Sequence, residues 1–286
     1  MRLSLLVNPA AGGGRALKHL PAVTHALVAH DVVVTQTRSL EHADELAAAA
    51  IVDDRVVVAM GGDGLVGRVA GAVAGSPGVM SVIPGGRGND FCRTVGIPLD
   101  PVAAAASLPQ WTAQPVDLGY AGGRAFIGIA SIGFDSDVQE KVLTSRLPLG
   151  NLIYAYGSLA VVAGWKPARF TVTVDGVSTV VEGWNVAVSN SGRYGGGMIL
   201  APQASVHDGL LDLITTSTTS KLTFLRTFPK LFKGTHVSEP SFAVRTVSSV
   251  TLDADRPFRV FADGDPIASL PCEITVTPAA LQMLLP

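Results

Sequence analysis

The stretch from Val56 to Ala70 admits few folds. The apolar run Val56-Val57-Val58-Ala59-Met60 ends in Gly61-Gly62-Asp63-Gly64 and passes into Leu65-Val66-Gly67-Arg68-Val69-Ala70, which reads as a helix. A strand that turns through consecutive glycines into a helix is a phosphate-site layout. Glycines let the backbone approach the phosphates, and the helix N-terminus offers free N–H groups and a positive dipole end. A carboxylate among them repels phosphate unless a cation lies between, so Asp63 points to a divalent metal. Taken alone, the stretch also fits a tight strand-to-helix connection with Asp63 as N-cap.

The same alternation precedes and follows it. Leu3–Val7 reads as a buried strand, Arg15–Ala29 as a helix, Asp31–Gln36 as a strand closed by Thr37, and Glu41–Ile51 as an Ala-rich helix. Arg55–Met60 and Val79–Ile83 are the next two strands. Strands alternating with helices imply βαβ units and a parallel sheet. Its strand C-terminal ends then carry Asn8-Pro9-Ala10-Ala11-Gly12, Gly61-Gly62-Asp63-Gly64 and Pro84-Gly85-Gly86-Arg87-Gly88-Asn89-Asp90. In open α/β sheets ligands bind at that edge, so the three loops can meet on one ligand.

After about Asp117 the texture changes to short Val/Thr-rich runs: Arg124–Ala130, Phe170–Val174, Val177–Val181, Asn185–Ser189, Leu210–Thr215, Phe242–Leu252 and Phe258–Phe261. Asp175-Gly176 between two of them is a hairpin signal. An antiparallel sandwich interrupted by helices near Asn151–Ala163 and Lys221–Phe232 is expected.

Composition narrows the function. Net charge is −2, which leaves no basic field of the kind that recruits nucleic acid. Cys92 and Cys272 have no metal-ligand spacing and read as free thiols in a reducing cytosol. The N-terminal apolar run is too short for a signal peptide, and the apolar stretch Leu152–Ala163 falls short of the ~20 residues of a spanning helix. GxGxxG after the first strand and GxxxxGK[ST] are both absent, which argues against a common dehydrogenase or P-loop ATPase.

Five motifs in order, Asn8-Pro9…Gly12, Gly61-Gly62-Asp63-Gly64, Pro84-Gly85…Gly88-Asn89-Asp90-Phe91, Asp208-Gly209-Leu210-Leu211-Asp212 and Asp263-Gly264-Asp265, resemble the diacylglycerol kinase catalytic-domain family of bacterial soluble lipid kinases. Its relatives include sphingosine kinases and, more distantly, NAD kinases. The resemblance implies an α/β ATP-binding domain over residues 1–118 and a β-sandwich over 119–286, with the active site in the cleft between them. It implies ATP on Asn8, Pro9, Ala10, Ala11, Gly12, Thr37, Gly62, Asp63, Gly64, Leu65, Val66, Gly67, Arg68 and Arg87. It further implies Mg2+ on Ser205, Asp208 and the Leu210 carbonyl, and Asp265 as general base beside Asp63. Asp263-Gly264-Asp265 equally fits a hairpin turn, and Asp208 and Asp212 a turn and a solvated strand residue.

The implied activity is phosphoryl transfer from ATP to a lipid hydroxyl, such as that of diacylglycerol to give phosphatidic acid. The setting would be the cytoplasm, with peripheral contact at the inner membrane surface, no nucleic acid partner, and a homodimer left open. The apolar stretch Leu147–Ala163 would hold an acyl chain, touch a membrane or form a core helix. Leu65, Gly67 and Arg68 replace the family's Thr and Asn-Glu, Arg87 replaces Thr, and Asp265 replaces Glu. Two added arginines could replace hydroxyl contacts with stronger charge-assisted bonds to phosphate. An NAD kinase and a non-catalytic lipid- or nucleotide-binding protein are the competing readings.

Overall fold

The computed structural model describes residues 1–145 and 153–286. Four parallel strands, β1 (Arg2–Val7), β2 (Asp31–Gln36), β3 (Val56–Gly61) and β4 (Val79–Pro84), lie in the order β2-β1-β3-β4. Helices α1 (Arg15–Ala26), α2 (Leu40–Val52), α3 (Asp63–Val73), α4 (Asp90–Val95) and α5 (Pro101–Ser107) connect or cover them. β1, β3 and β4 are apolar and buried along nearly their whole length, as strands covered on both faces must be. β2 is the edge strand and leaves Val33 and Val34 exposed.

The second half is antiparallel. It runs through β5 (Thr112–Ala121), β6 (Arg124–Phe126), β7 (Ile129–Gly133), α6 (Phe134–Thr144), α7 (Ile153–Gly164), β8 (Ala168–Val174) and β9 (Val177–Ser189). The short pair β10 (Arg193–Tyr194) and β11 (Met198–Ile199) follows, then β12 (Leu211–Ser217) and α8 (Lys221–Leu231). β13 (Phe242–Val247), β14 (Ser249–Ala254), β15 (Arg259–Ala262), β16 (Asp265–Ser269) and β17 (Cys272–Leu285) complete it. The mixed α/β architecture with a C-terminal sandwich is the one expected.

Several expected runs divide or fuse. Arg124–Ala130 breaks into β6 and β7 because the Ile127 and Gly128 N–H groups leave the ladder and donate to the Asp263 carboxylate, both at 2.9 Å. Val177–Val181 and Asn185–Ser189 are one strand, carried past Gly183 by a register shift against β12. Phe242–Leu252 splits into β13, paired with β12, and β14, paired with β8 and β17. Of the apolar stretch Leu147–Ala163, the structure describes α7 from Ile153; residues 147–152 lie outside the described residues.

β17 joins the two halves. Its first part pairs with β14, and its last part pairs in parallel with β4 through Gln282↔Val79 and Met283↔Met80. β5 pairs with it over Ile274–Thr277 and Leu281–Leu285, so residue 118 lies inside a strand common to both layers. Where β17 crosses, its register slips between Thr277 and Leu281, and Asp117 pins the slip by accepting the Ala279 N–H at 2.7 Å. In the second core Trp184 stacks on Phe224 of α8 at 4.0 Å, and Phe134 of α6 meets both rings edge-on. That cluster fixes α6 and α8 against the sheet beside the cleft.

Candidate active site

The three glycine-rich loops meet. Gly85 donates its N–H to the Gly61 carbonyl at 2.8 Å, and a Cβ at Gly12 would stand 2.7 Å from the Gly85 carbonyl. A methyl at Gly86 would run into the Gly62 backbone. Asn89, itself in the left-handed region, clamps Gly86 by accepting its N–H at 2.9 Å and donating to its carbonyl at 3.1 Å. Gly86→Ala is therefore expected to lose about 1–3 kcal/mol of stability, read by denaturant unfolding, because the clash is with backbone that cannot step aside.

Within this bowl α3 starts at Asp63, with Gly62 as an extended N-cap that makes no side-chain cap. Asp63 is thus the first helical residue and not the cap; its Oδ1 accepts the Phe91 N–H at 3.1 Å. The first N–H groups of α3 stay open for an anion. Asn8 folds its own loop by accepting the Ala10 N–H, and Thr37 is buried with its hydroxyl on the Val7 carbonyl. Pro9 and Gly12 are half-buried, Ala10 exposed and Ala11 buried. Arg87 is exposed and reaches back over Gly13.

Other expected contacts are turned elsewhere. Leu65 and Val66 are buried, with Leu65 packed against Gly61, so their side chains face the core. Arg68 spends its guanidinium fork on Asp44 of α2, through Nε at 2.8 Å and a second bond from Nη2 to Oδ2. Ser205, Asp208 and Leu210 form a surface turn in which Asp208 Oδ1 accepts the Leu210 N–H and Ser205 Oγ accepts the His207 N–H. Its Gly209 N–H donates to Asp117 at 2.7 Å, and none of the three lines a cleft described here. Among the described residues no group of three or more His, Cys, Asp or Glu has a metal-holding arrangement.

A cleft of about 500 Å3 opens between the halves and is walled by Asp63, Arg87, Asp90, Phe134, Asp135, Tyr194, Phe228 and Asp263, among others. Its apolar wall comes from α6 and α8, its charged wall from the glycine loops. Asp90 Oδ2 accepts the Gly196 N–H at 2.8 Å, while its Oδ1 is buried without a hydrogen-bond partner. A Cβ at Gly88 would stand 2.7 Å from Asp90 Oδ2 and 3.2 Å from Asp63 Oδ2, so the two carboxylates flank the same glycine. Burial and the Asp63 charge raise the Asp90 carboxyl above the usual range. Two carboxylates beside one glycine, with one Asp90 oxygen unpartnered, are hard donors of the kind magnesium takes. On the sandwich side burial lifts Asp135 to about 6, against a bond from the Asn185 amide at 2.8 Å and one from Tyr194.

Asp263, absent from the expected roles, shares this cleft with Asp63, Asp90 and Asp135. Asp263-Gly264 is the two-residue turn between β15 and β16, both residues at positive φ, so the hairpin reading of the motif holds. The turn lies along α3: Asp263 Oδ2 would stand 2.6 Å from a Cβ at Gly67, and Asp265 Oδ2 3.2 Å from one at Gly64. Burial pushes the Asp263 carboxyl up to about 7, helped by the Asp63 charge and opposed by the Ile127 and Gly128 N–H donors. Asp265 instead lines a second cleft of about 460 Å3 with Arg68, Asp44, Tyr120 and Arg124, and Asp263 also borders it. Burial raises the Asp265 carboxyl, and the Arg124 and Arg68 charges oppose this. Asp263 was legible as the first residue of Asp263-Gly264-Asp265, but spacing alone does not say which carboxylate of such a turn faces inward.

Comparison with known proteins supplies the kinship. The diacylglycerol kinase catalytic domain family matches residues 2–121, and the YegS C-terminal NAD kinase beta sandwich-like domain family matches residues 128–285. A Mycobacterium tuberculosis protein named diacylglycerol kinase is 35% identical over 301 residues, covering 100% of this chain and 95% of its own length. A Pseudomonas aeruginosa protein named probable lipid kinase YegS-like is 34% identical over 233 residues, covering 80% and 76%. The crystal structure of a diacylglycerol kinase from Bacillus anthracis superposes with a TM-score of 0.78 at 23% identity, covering 100% of this chain and 97% of that one; at that identity the likeness speaks for the fold alone.

Proposed function

The chain belongs to the diacylglycerol kinase catalytic-domain family of lipid kinases, and on that premise we propose that it moves the γ-phosphoryl group of ATP to the hydroxyl of diacylglycerol, giving phosphatidic acid and ADP. The observation that supports this reading most is that the larger cleft brings together Asp63 at the start of α3, the Asp90 and Asp263 carboxylates and an apolar wall. Phosphoryl transfer asks a protein for positioning and charge neutralisation. The phosphates would lie in the bowl of Asn8–Gly12, Gly62–Gly64 and Arg87, with the nucleoside toward Thr37. Asp63 and Asp90 would hold the magnesium that accompanies ATP, which supplies charge neutralisation on the transferring group. The turn of Ser205, Asp208 and Leu210 offers a second, all-oxygen set that suits a hydrated magnesium at the surface.

The acceptor lipid would lie along Phe134, Val138 and Phe228, its hydroxyl directed at Asp263. As the hydroxyl proton passes to the Asp263 carboxylate, its oxygen bonds to the γ-phosphorus and the bond to the bridging β–γ oxygen breaks, releasing ADP. Asp265, between Arg68 and Arg124, would hold the hairpin against α3.

Arg87→Ala is expected to raise the KM for ATP about tenfold with little change in kcat, as loss of a charge-assisted phosphate bond does. The assay that tests the function uses labelled ATP with diacylglycerol in mixed micelles and, separately, NAD. Label in phosphatidic acid alone supports the reading. Label in NADP, favoured by the name of the C-terminal domain family, would move it to an NAD kinase, and label in neither to a binding protein.

A further inference from the structure

We propose that the outward face of α8 docks on an anionic lipid bilayer. The proposal deepens the lipid-kinase reading and rests on it: the acceptor resides in a membrane, and among the described residues no helix is long and apolar enough to cross one.

The charge pattern is local. The chain has a net charge of −2, yet between Asp212 and Glu239 it carries Lys221, Arg226, Lys230 and Lys233 and no acidic residue. On α8 the residues Phe224, Thr227, Phe228 and Leu231 turn inward, while Leu222, Arg226 and Pro229 lie exposed along the opposite side. Phe232 and Lys233 continue that exposed side past the helix end. Leu222 is 59% exposed and Phe232 56%, each beside a cation. Lys230 pairs with Glu239, but among the described residues neither Arg226 nor Lys233 joins an ion pair. An outward stripe of apolar residues between unpaired cations is the pattern of a helix that lies in a membrane interface. Its charge complements anionic headgroups.

The surface extends to α7, which has no charged residue. Leu159, 62% exposed, and Ala163, also exposed, share one face at i, i+4, and Lys221 donates to the Ala163 carbonyl at 2.6 Å. The inner side of α8 carries Phe228, part of the cleft that holds Asp63 and Asp263. Docking through the outer side therefore sets the apolar wall of that cleft beside the bilayer.

Co-sedimentation with phosphatidylcholine vesicles, with and without phosphatidylglycerol, tests this on the whole chain. Wild type should bind only the vesicles with phosphatidylglycerol. Arg226→Glu with Lys233→Glu should weaken that binding at least about tenfold, whereas Arg226→Lys with Lys233→Arg should retain it. Phe232→Ser should weaken it as well. The reversed-charge variant should keep wild-type turnover on a short-chain, water-dispersed diacylglycerol, which separates lost docking from lost folding. Absence of wild-type binding to anionic vesicles would overturn the proposal, as would undiminished binding by the reversed-charge variant. If the kinase reading fails instead, no diacylglycerol is phosphorylated by either protein while the contrast in vesicle binding persists.

Discussion

Asp63→Asn should lower phosphoryl transfer by about a thousandfold or more while leaving the protein folded. The expected size follows from the proposed role: loss of one preorganised electrostatic contact typically costs about 10²–10³ in kcat, and the proposed metal position would be weakened as well. The fold survives because the amide oxygen can still accept the Phe91 N–H that Asp63 Oδ1 accepts now. Circular dichroism and the unfolding midpoint should match wild type. Magnesium titration of the residual activity should show a raised requirement, and unchanged turnover in this variant would remove Asp63 from the proposed metal site.

Asp263→Asn should cost about 10²–10⁴ in kcat/KM, the range for a general base, and should also reshape the pH dependence. With its carboxyl held at about 7, wild-type kcat/KM should fall as pH drops below that value, and the acid limb should vanish in the variant. Stability should move the other way. The native state keeps a proton on Asp263 that the unfolded chain, titrating near 3.8, has already lost, so between those two values stability declines as pH rises. The amide carries no charge to desolvate, so the variant's stability should lose this pH dependence, but its one oxygen can accept only one of the Ile127 and Gly128 N–H groups, which costs it the other bond. Asp265→Asn, in the other cleft, should affect kcat/KM far less; the reverse ranking of the two variants would return the base to Asp265.

Local pattern made the first half legible. Buried parallel strands are continuous apolar runs, and even the exposed edge strand Asp31–Gln36 was readable to the residue from Val32-Val33-Val34 between polar ends. The meeting of three glycine loops followed from topology alone. Long-range pairing hid the rest. Nothing near Ile127 says that its N–H will be claimed by Asp263, 136 positions later, and so the strand break there was invisible. Arg68 looked like a phosphate ligand by position, but Asp44 on the neighbouring helix occupies it. Asp90 stood within a motif, and only packing shows one of its oxygens buried and unpartnered.

The strand that closes both layers also bears on synthesis. β17 supplies the neighbour of β4 and accepts the Ser81 hydroxyl at the Leu284 carbonyl, a buried contact between residues 203 positions apart. While the chain emerges from the ribosome, the first four strands present β4 as an open edge, the kind of edge that recruits foreign strands. The N-terminal α/β half therefore stays unfinished until nearly every described residue has been made. A truncated product ending before β17 would display that edge permanently, and it should partition to aggregates and proteolysis rather than persist as a free domain.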